Sequence, residues 1–174
     1  LQFFNMIVPL LTLPYITRIL GSGLYGIFSI ALNIVGYLQV AVEYGFGLSA
    51  SRNVAINGKK DLNKEFTAVI VCRGFIAFLC GVIALIYIVI KRDNVQLCIS
   101  FAMLLICVLG TCVQMNWLFQ GLQEMKYISI VNIIARSIST ALIFLLVHSK
   151  SDLYLYCLLY SISPFISGFI GCFL

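Results

Sequence analysis

The sequence predicts an all-α fold, a polytopic transmembrane bundle of six helices. Three observations lead there. The 174 residues are 62% hydrophobic and only 10% charged, with a mean hydropathy of +1.09, which leaves too little polar surface for a water-soluble domain. The apolar residues gather into runs of about 20, the length an α-helix needs to cross a hydrocarbon core ~30 Å thick. Between the runs lie short interruptions: "TRILGSG", "SRNVAINGKKDLNKEF", "KRDN", "QGLQEMK" and "SKSD".

The first expected span covers 2–17. Pro14 can kink it, Gly21 or Gly23 supplies the backbone freedom to end it, and Arg18 lies by its last turn, where a cation complements the helix dipole. A second span follows at 24–43. The polar stretch 51–66 is the one interruption long enough for a surface helix, and its Arg52, Lys59, Lys60 and Lys64 place it on the cytoplasmic side by the positive-inside rule. The remaining spans are expected at 67–90, 95–117, 127–148 and 153–174. Tyr15, Tyr25, Tyr127, Tyr154, Tyr156 and Trp117 stand near span ends and read as interfacial anchors. The chain starts on Leu1 and stops at Leu174 inside an apolar run, so it reads as a piece of a longer protein; no cleavable signal is visible.

Several function classes drop out on composition. The seven cysteines, Cys72, Cys80, Cys98, Cys107, Cys112, Cys157 and Cys172, fall at irregular spacing mostly within apolar runs, with no CxxC pair and a single histidine in the chain. They read as small apolar residues, so neither a metal site nor a cofactor is expected. The net charge of +5 comes from basic residues scattered over loops and spans. They do not gather with aromatics on one face, as nucleic-acid binding would require.

Helical residues advance by about 100° each, so positions three and four apart share a face. In the second span Tyr25, Gly26, Ser29, Asn33, Gly36, Glu43 and Gly47 align, provided the helix runs on that far. Arg73, Ala77, Gly81 and Ala84 align in the third. Ser100, Cys107, Gly110, Thr111, Gln114 and Leu118 do so in the fourth. The fifth carries the clearest stripe, Ser129, Asn132, Arg136, Ser139 and Thr140, within "SIVNIIARSISTALIF". Small residues on such faces let membrane helices approach closely. The arginines need more. A cation at the centre of a span costs ~2.5–3.5 kcal/mol on insertion scales unless it meets a partner or water. Arg73, near a span end, can snorkel. Arg136, deep in its span, cannot, and an anion or water should meet it. Glu43 either pairs with one of the two or marks the cytoplasmic end of its helix.

Three segments carry a wider pattern: "PLLTLPYITRILGSGLYGIFSIALNIVGYL" at 9–38, "EYGFGLSASRNVA" at 43–55 and "NWLFQGLQEMKYISIVNIIARSIS" at 116–139. With their Arg18-x-Leu20-Gly21 turn, Tyr25-Gly26 pair and Trp117-Leu118-Phe119-Gln120-Gly121 exit, in that order and spacing, they resemble the polysaccharide transporters of the multidrug/oligosaccharidyl-lipid/polysaccharide exporter superfamily, nearest the O-antigen flippases of the Wzx type. The resemblance implies one N-terminal six-helix lobe of a two-lobe transporter, a missing C-terminal lobe as partner, and a site in the bacterial inner membrane among its lipids. It also implies the activity: flipping of a polyprenyl-diphosphate-linked oligosaccharide, without covalent catalysis. Arg136, Arg73, Asn132, Ser139, Asn33 and Gln114 are then the candidate substrate-binding residues. Glu43 is the candidate ion-coupling carboxylate. A cation-coupled multidrug exporter is the alternative within the superfamily. A membrane-embedded oligosaccharide polymerase or glycosyltransferase is disfavoured, because the longest loop holds no plausible catalytic pair.

Overall fold

The computed structural model describes residues 2–57, 62–90 and 94–173. Those residues form seven α-helices: α1 (Gln2–Glu43), α2 (Phe46–Asn57), α3 (Leu62–Ile90), α4 (Val95–Val113), α5 (Asn116–Gly121), α6 (Met125–Leu146) and α7 (Leu153–Phe173), with a 3-10 turn at Lys150–Asp152. Among them five stretches are long and apolar enough to cross a membrane: Ile7–Ile56, Lys64–Ile90, Val95–Gly121, Met125–Leu146 and Lys150–Gly171.

The first stretch differs from the expectation of two separate spans at 2–17 and 24–43, and its backbone explains why. As a continuous helix the 42 residues of α1 would run ~63 Å at 1.5 Å per residue, twice the hydrocarbon thickness. The run is not continuous. Gly21 has φ 80° and ψ 163°, a region essentially reserved for glycine. A side chain there would meet no neighbouring atom within 4 Å, so the requirement for glycine lies in the backbone and not in crowding. Val8 and Gln39 line one cavity of about 320 Å³, although a straight helix would hold them ~46 Å apart. The chain therefore doubles back at Gly21. Tyr15, before the break, donates its hydroxyl to the carbonyls of Val147 (3.0 Å) and Phe144 (3.3 Å) at the far end of α6.

The helix does not run on to Gly47. Tyr44 (φ 30°) and Gly45 (φ 77°) interrupt it after Glu43, so the last member of that expected stripe belongs to α2. Much of the expected loop at 51–66 is helical, in α2 and the first turn of α3. Asn53 donates to Glu65 (3.3 Å) and ties the two together. The expected Lys59, Lys60, Lys91 and Arg92 positions lie outside the described residues.

The fourth helix stops at Val113, short of the expected 117, because Gln114 turns extended (φ −69°, ψ 121°). Beyond α5 the "QGLQEMK" interruption closes as a Schellman turn. Gln123 takes φ 60°, with Gln123 N–H to Gln120 O (3.2 Å) and Glu124 N–H to Phe119 O (2.9 Å) satisfying carbonyls that a helix end leaves open. "SKSD" forms the 3-10 turn, where the Asp152 carboxylate accepts from the backbone N–H groups of His148 (3.1 Å) and Ser149 (2.9 Å).

Helix α7 packs most extensively on α4, then on α6. The α4–α7 contact is set by two glycines. A methyl on Gly110 would sit 2.8 Å from the Pro164 Cβ, and one on Gly168 3.0 Å from the Val113 backbone. Small residues let these helices approach where hydrophobic burial gives no net drive between lipid-soluble surfaces. The main core includes Ile16, Phe28, Val35, Phe101, Leu104 and Cys157. A second cluster of Ala50, Val54, Val69 and Trp117 seals α2 against α5 and the start of α3. Helix α3 turns Val71, Phe75, Phe78 and Ile83 outward, an apolar face suited to lipid.

Candidate functional site

The fold-back at Gly21 and the α6–α7 hairpin enclose the cavity. Thr12 reaches it from before the break, Tyr25, Leu32 and Gln39 from after it, Cys107 from α4, Arg136, Ser139 and Thr140 from α6, and Tyr156, Tyr160 and Ser163 from α7. Arg136 is the one charged side chain among the described residues in this lining. Its presence on the inward face of α6 follows from the stripe read in the sequence: Ala135, Ser139 and Ile143 of the same helix are buried, while Ile130, Ile134 and Ile138 face outward. The Arg136 guanidinium lies near Tyr160, the two interacting electrostatically. Ser139 spends its hydroxyl proton on the Leu159 carbonyl (2.6 Å), which fixes α6 to α7. Gln39 donates to the Cys107 sulfur (3.2 Å) across the cavity wall.

The other candidates sit elsewhere. Asn132, one turn before Arg136, accepts from Ser167 (2.9 Å) and from Gln114 (3.3 Å), and Gln114 also donates to Ser167 (3.3 Å). This three-residue polar knot joins the end of α4 to α6 and α7, apart from the cavity lining. Asn33 is exposed on the outer face of α1 and donates to the Ser29 carbonyl (2.8 Å). Arg73 is buried, at 2% exposure, and does not snorkel. It donates to the carbonyls of Gln114 (3.1 Å) and Thr111 (3.4 Å), where α4 ends. A guanidinium there supplies donors to orphan carbonyls and complements the negative end of the helix dipole. Glu43, exposed at the end of α1, attracts Arg73 electrostatically.

The sequence reading of the aromatics as interfacial anchors needs correction at three positions. Trp117 is 3% exposed in the second core cluster, Tyr156 is 6% exposed, and Tyr25 and Tyr156 line the cavity. Tyr156 packs against Phe28 with ring centroids 4.6 Å apart and planes tilted by 54°, and Phe28 is itself 5.9 Å from Tyr25. The i, i+4 pair Tyr156 and Tyr160 on an apolar helix is the signal that could have found the cavity wall, since buried tyrosines need hydroxyl partners.

Two curated relatives align along nearly the whole chain. It is 29% identical over 171 residues to a Shigella dysenteriae protein proposed by its name to be an O-antigen transporter, covering 98% of this chain and 43% of that one. It is 31% identical over 177 residues to an Escherichia coli K12 protein named in the same way, covering 98% of this chain and 41% of the relative. The chain thus spans less than half the length of either. No solved structure matches it. Residues 1–174 match the model of a family described as polysaccharide biosynthesis proteins; the chain belongs to that family and is part of a multi-pass protein of the bacterial inner membrane.

Proposed function

We propose that the full-length protein moves a polyprenyl-diphosphate-linked oligosaccharide from the inner to the outer leaflet of the cytoplasmic membrane. In this reading the chain crosses the membrane six times, the fold-back at Gly21 separating the first two crossings, and forms the N-terminal lobe of a transporter whose second lobe lies in the remainder of its length. Rocking of the two lobes gives alternating access. The observation that carries the reading is Arg136, a permanent cation in the wall of a cavity set among apolar helices. A guanidinium offers planar, charged donors matched to phosphate oxygens, and a diphosphate is the anion that this class of substrate would bring. The hydroxyl and amide groups of Thr12, Gln39 and Thr140 face the same space and suit a glycan. The lipid tail stays between helices in hydrocarbon. No covalent step is required of the protein.

Deletion of the full-length gene should remove surface polysaccharide and leave the lipid-linked oligosaccharide trapped on the inner leaflet. Full-length protein should restore export, and residues 1–174 alone should not, since the lobe's polar surfaces need a facing lobe to close the pathway. Restored export by the 174 residues alone would contradict the two-lobe reading; normal polysaccharide in the deletion strain would contradict the function itself.

The same reading places α2 on the cytoplasmic side. A cysteine put at the exposed Ala55 of an otherwise cysteine-free protein should resist an impermeant thiol reagent applied to intact cells and react in inverted vesicles. Labelling from outside would reverse the orientation.

A further inference from the structure

We propose that Tyr25 and Tyr160 form a stacking platform for the pyranose ring attached to the diphosphate, beside the Arg136 guanidinium. The proposal rests on the cavity carrying a glycosyl diphosphate and adds to it which wall reads the sugar.

Four aromatic rings make one continuous cluster in the cavity lining. Phe28 is its hub, 4.6 Å from Tyr156, 5.6 Å from Tyr160 and 5.9 Å from Tyr25, and Tyr156 lies 6.5 Å from Tyr160. The rings divide by accessibility. Phe28 and Tyr156 are 2% and 6% exposed and act as backing, whereas Tyr25 and Tyr160 are less completely buried and line the cavity. A pyranose has an apolar C–H face and a rim of hydroxyls; a tyrosine has an apolar face and a hydroxyl tip. The two match face to face and rim to tip. A lipid chain in the same place would offer nothing to the tyrosine and threonine hydroxyls that line the cavity, a poor match in a low-dielectric site. The relation to Arg136 fixes which sugar is meant. Tyr160 and Arg136 line the same cavity and lie close enough to interact electrostatically, so the aromatic platform and the cation are neighbours. A ring on the platform with its phosphate at the guanidinium is the reducing-end sugar, joined directly to the diphosphate. Tyr25 reaches the platform from α1 and Tyr160 from α7, so the subsite is built from both helices.

The test uses purified full-length protein and two soluble probes: the dephosphorylated repeat-unit oligosaccharide of the host's own polysaccharide, read by saturation-transfer NMR, and inorganic diphosphate, read by phosphorus line broadening. Wild-type protein should transfer saturation most strongly to the C–H protons of the reducing-end ring. Tyr25→Leu should cut that transfer at least fivefold and leave diphosphate broadening in place; Tyr25→Phe should retain most of it, because the ring remains. Arg136→Ala should do the reverse, losing diphosphate and keeping sugar. Size-exclusion profiles report folding for each variant, and Tyr160→Leu provides an independent second removal of platform surface. Undiminished transfer in both leucine variants, or no transfer in wild type, would overturn the platform. Undiminished diphosphate broadening in Arg136→Ala would instead overturn the parent reading of the cavity, so the two failures are distinguishable.

Discussion

Replacing Arg136 by alanine in the full-length protein is expected to abolish surface polysaccharide while membrane-inserted protein stays at or above the wild-type level. The two halves have different physical causes. Charge-assisted hydrogen bonds are worth ~1.5–3 kcal/mol each, so loss of a guanidinium from the substrate's phosphates should slow export roughly tenfold to a hundredfold or more. The same replacement removes a cation from the middle of a span, where insertion scales charge ~2.5–3.5 kcal/mol for it. Arg136→Lys should keep partial export, since an ammonium retains the charge and loses the planar fork. If Arg136 served only as a structural partner of Glu43, either single replacement would lower protein levels and the double replacement would restore them. Glu43 lies within electrostatic reach of Arg73, and the transport reading of Arg136 predicts no such rescue. Paired measurement of protein by blot and of polysaccharide by gel separates the cases. Normal polysaccharide in a well-expressed Arg136→Ala strain would remove Arg136 from the transport path.

Arg73→Ala should have the opposite profile: large loss of protein and little loss of export per surviving molecule. Arg73 holds the Thr111 and Gln114 carbonyls at the end of α4, and a buried acceptor stripped of its donor costs ~1–3 kcal/mol. The cavity left by the side chain adds to that. A change of that size shifts abundance several-fold in cells, and the melting temperature of the detergent-purified variant should fall with it. Arg73→Lys should recover part of the loss. A stable, abundant Arg73→Ala protein with no export would place Arg73 in the pathway after all.

The two arginines show how much of the site was legible in the sequence. Both stood out as cations on small-residue faces, and helical periodicity correctly turned both inward. What separates them is tertiary: α4 ends four residues before Trp117 and presents bare carbonyls to Arg73, while α6 runs past Arg136 without a break. Only the polar Gln114 and Asn116 mark the stop after Val113 locally, and the donor that holds the freed carbonyls, Arg73, lies on another helix. On the second span the structure adds what the stripe alone lacks. Periodicity finds a polar face but does not say whether it meets the cavity or the outside. Asn33 is exposed, and the residues of the same helix that line this cavity are Tyr25, Phe28, Leu32 and Gln39. The turn at Gly21, by contrast, was readable from two glycines after a span of the right length, since chain geometry forbids a helix twice the bilayer thickness. Tyr25 and Tyr156 were misassigned because an interfacial belt and a cavity wall draw on the same amphipathic residue.

Substrate occupancy of the cavity can be read directly in living cells. Thr140 lines the cavity one turn from Arg136, so a cysteine at Thr140, in a full-length protein otherwise free of cysteine and still able to export, reports on access to that space. Two strains are compared: one that makes the lipid-linked oligosaccharide, and one lacking the enzyme that places the first sugar phosphate on the carrier lipid. Slower alkylation of the Thr140→Cys protein in the strain that makes substrate, with the difference lost when Arg136→Ala is added, is the predicted result. Equal alkylation rates in both strains would contradict passage of the substrate through this cavity.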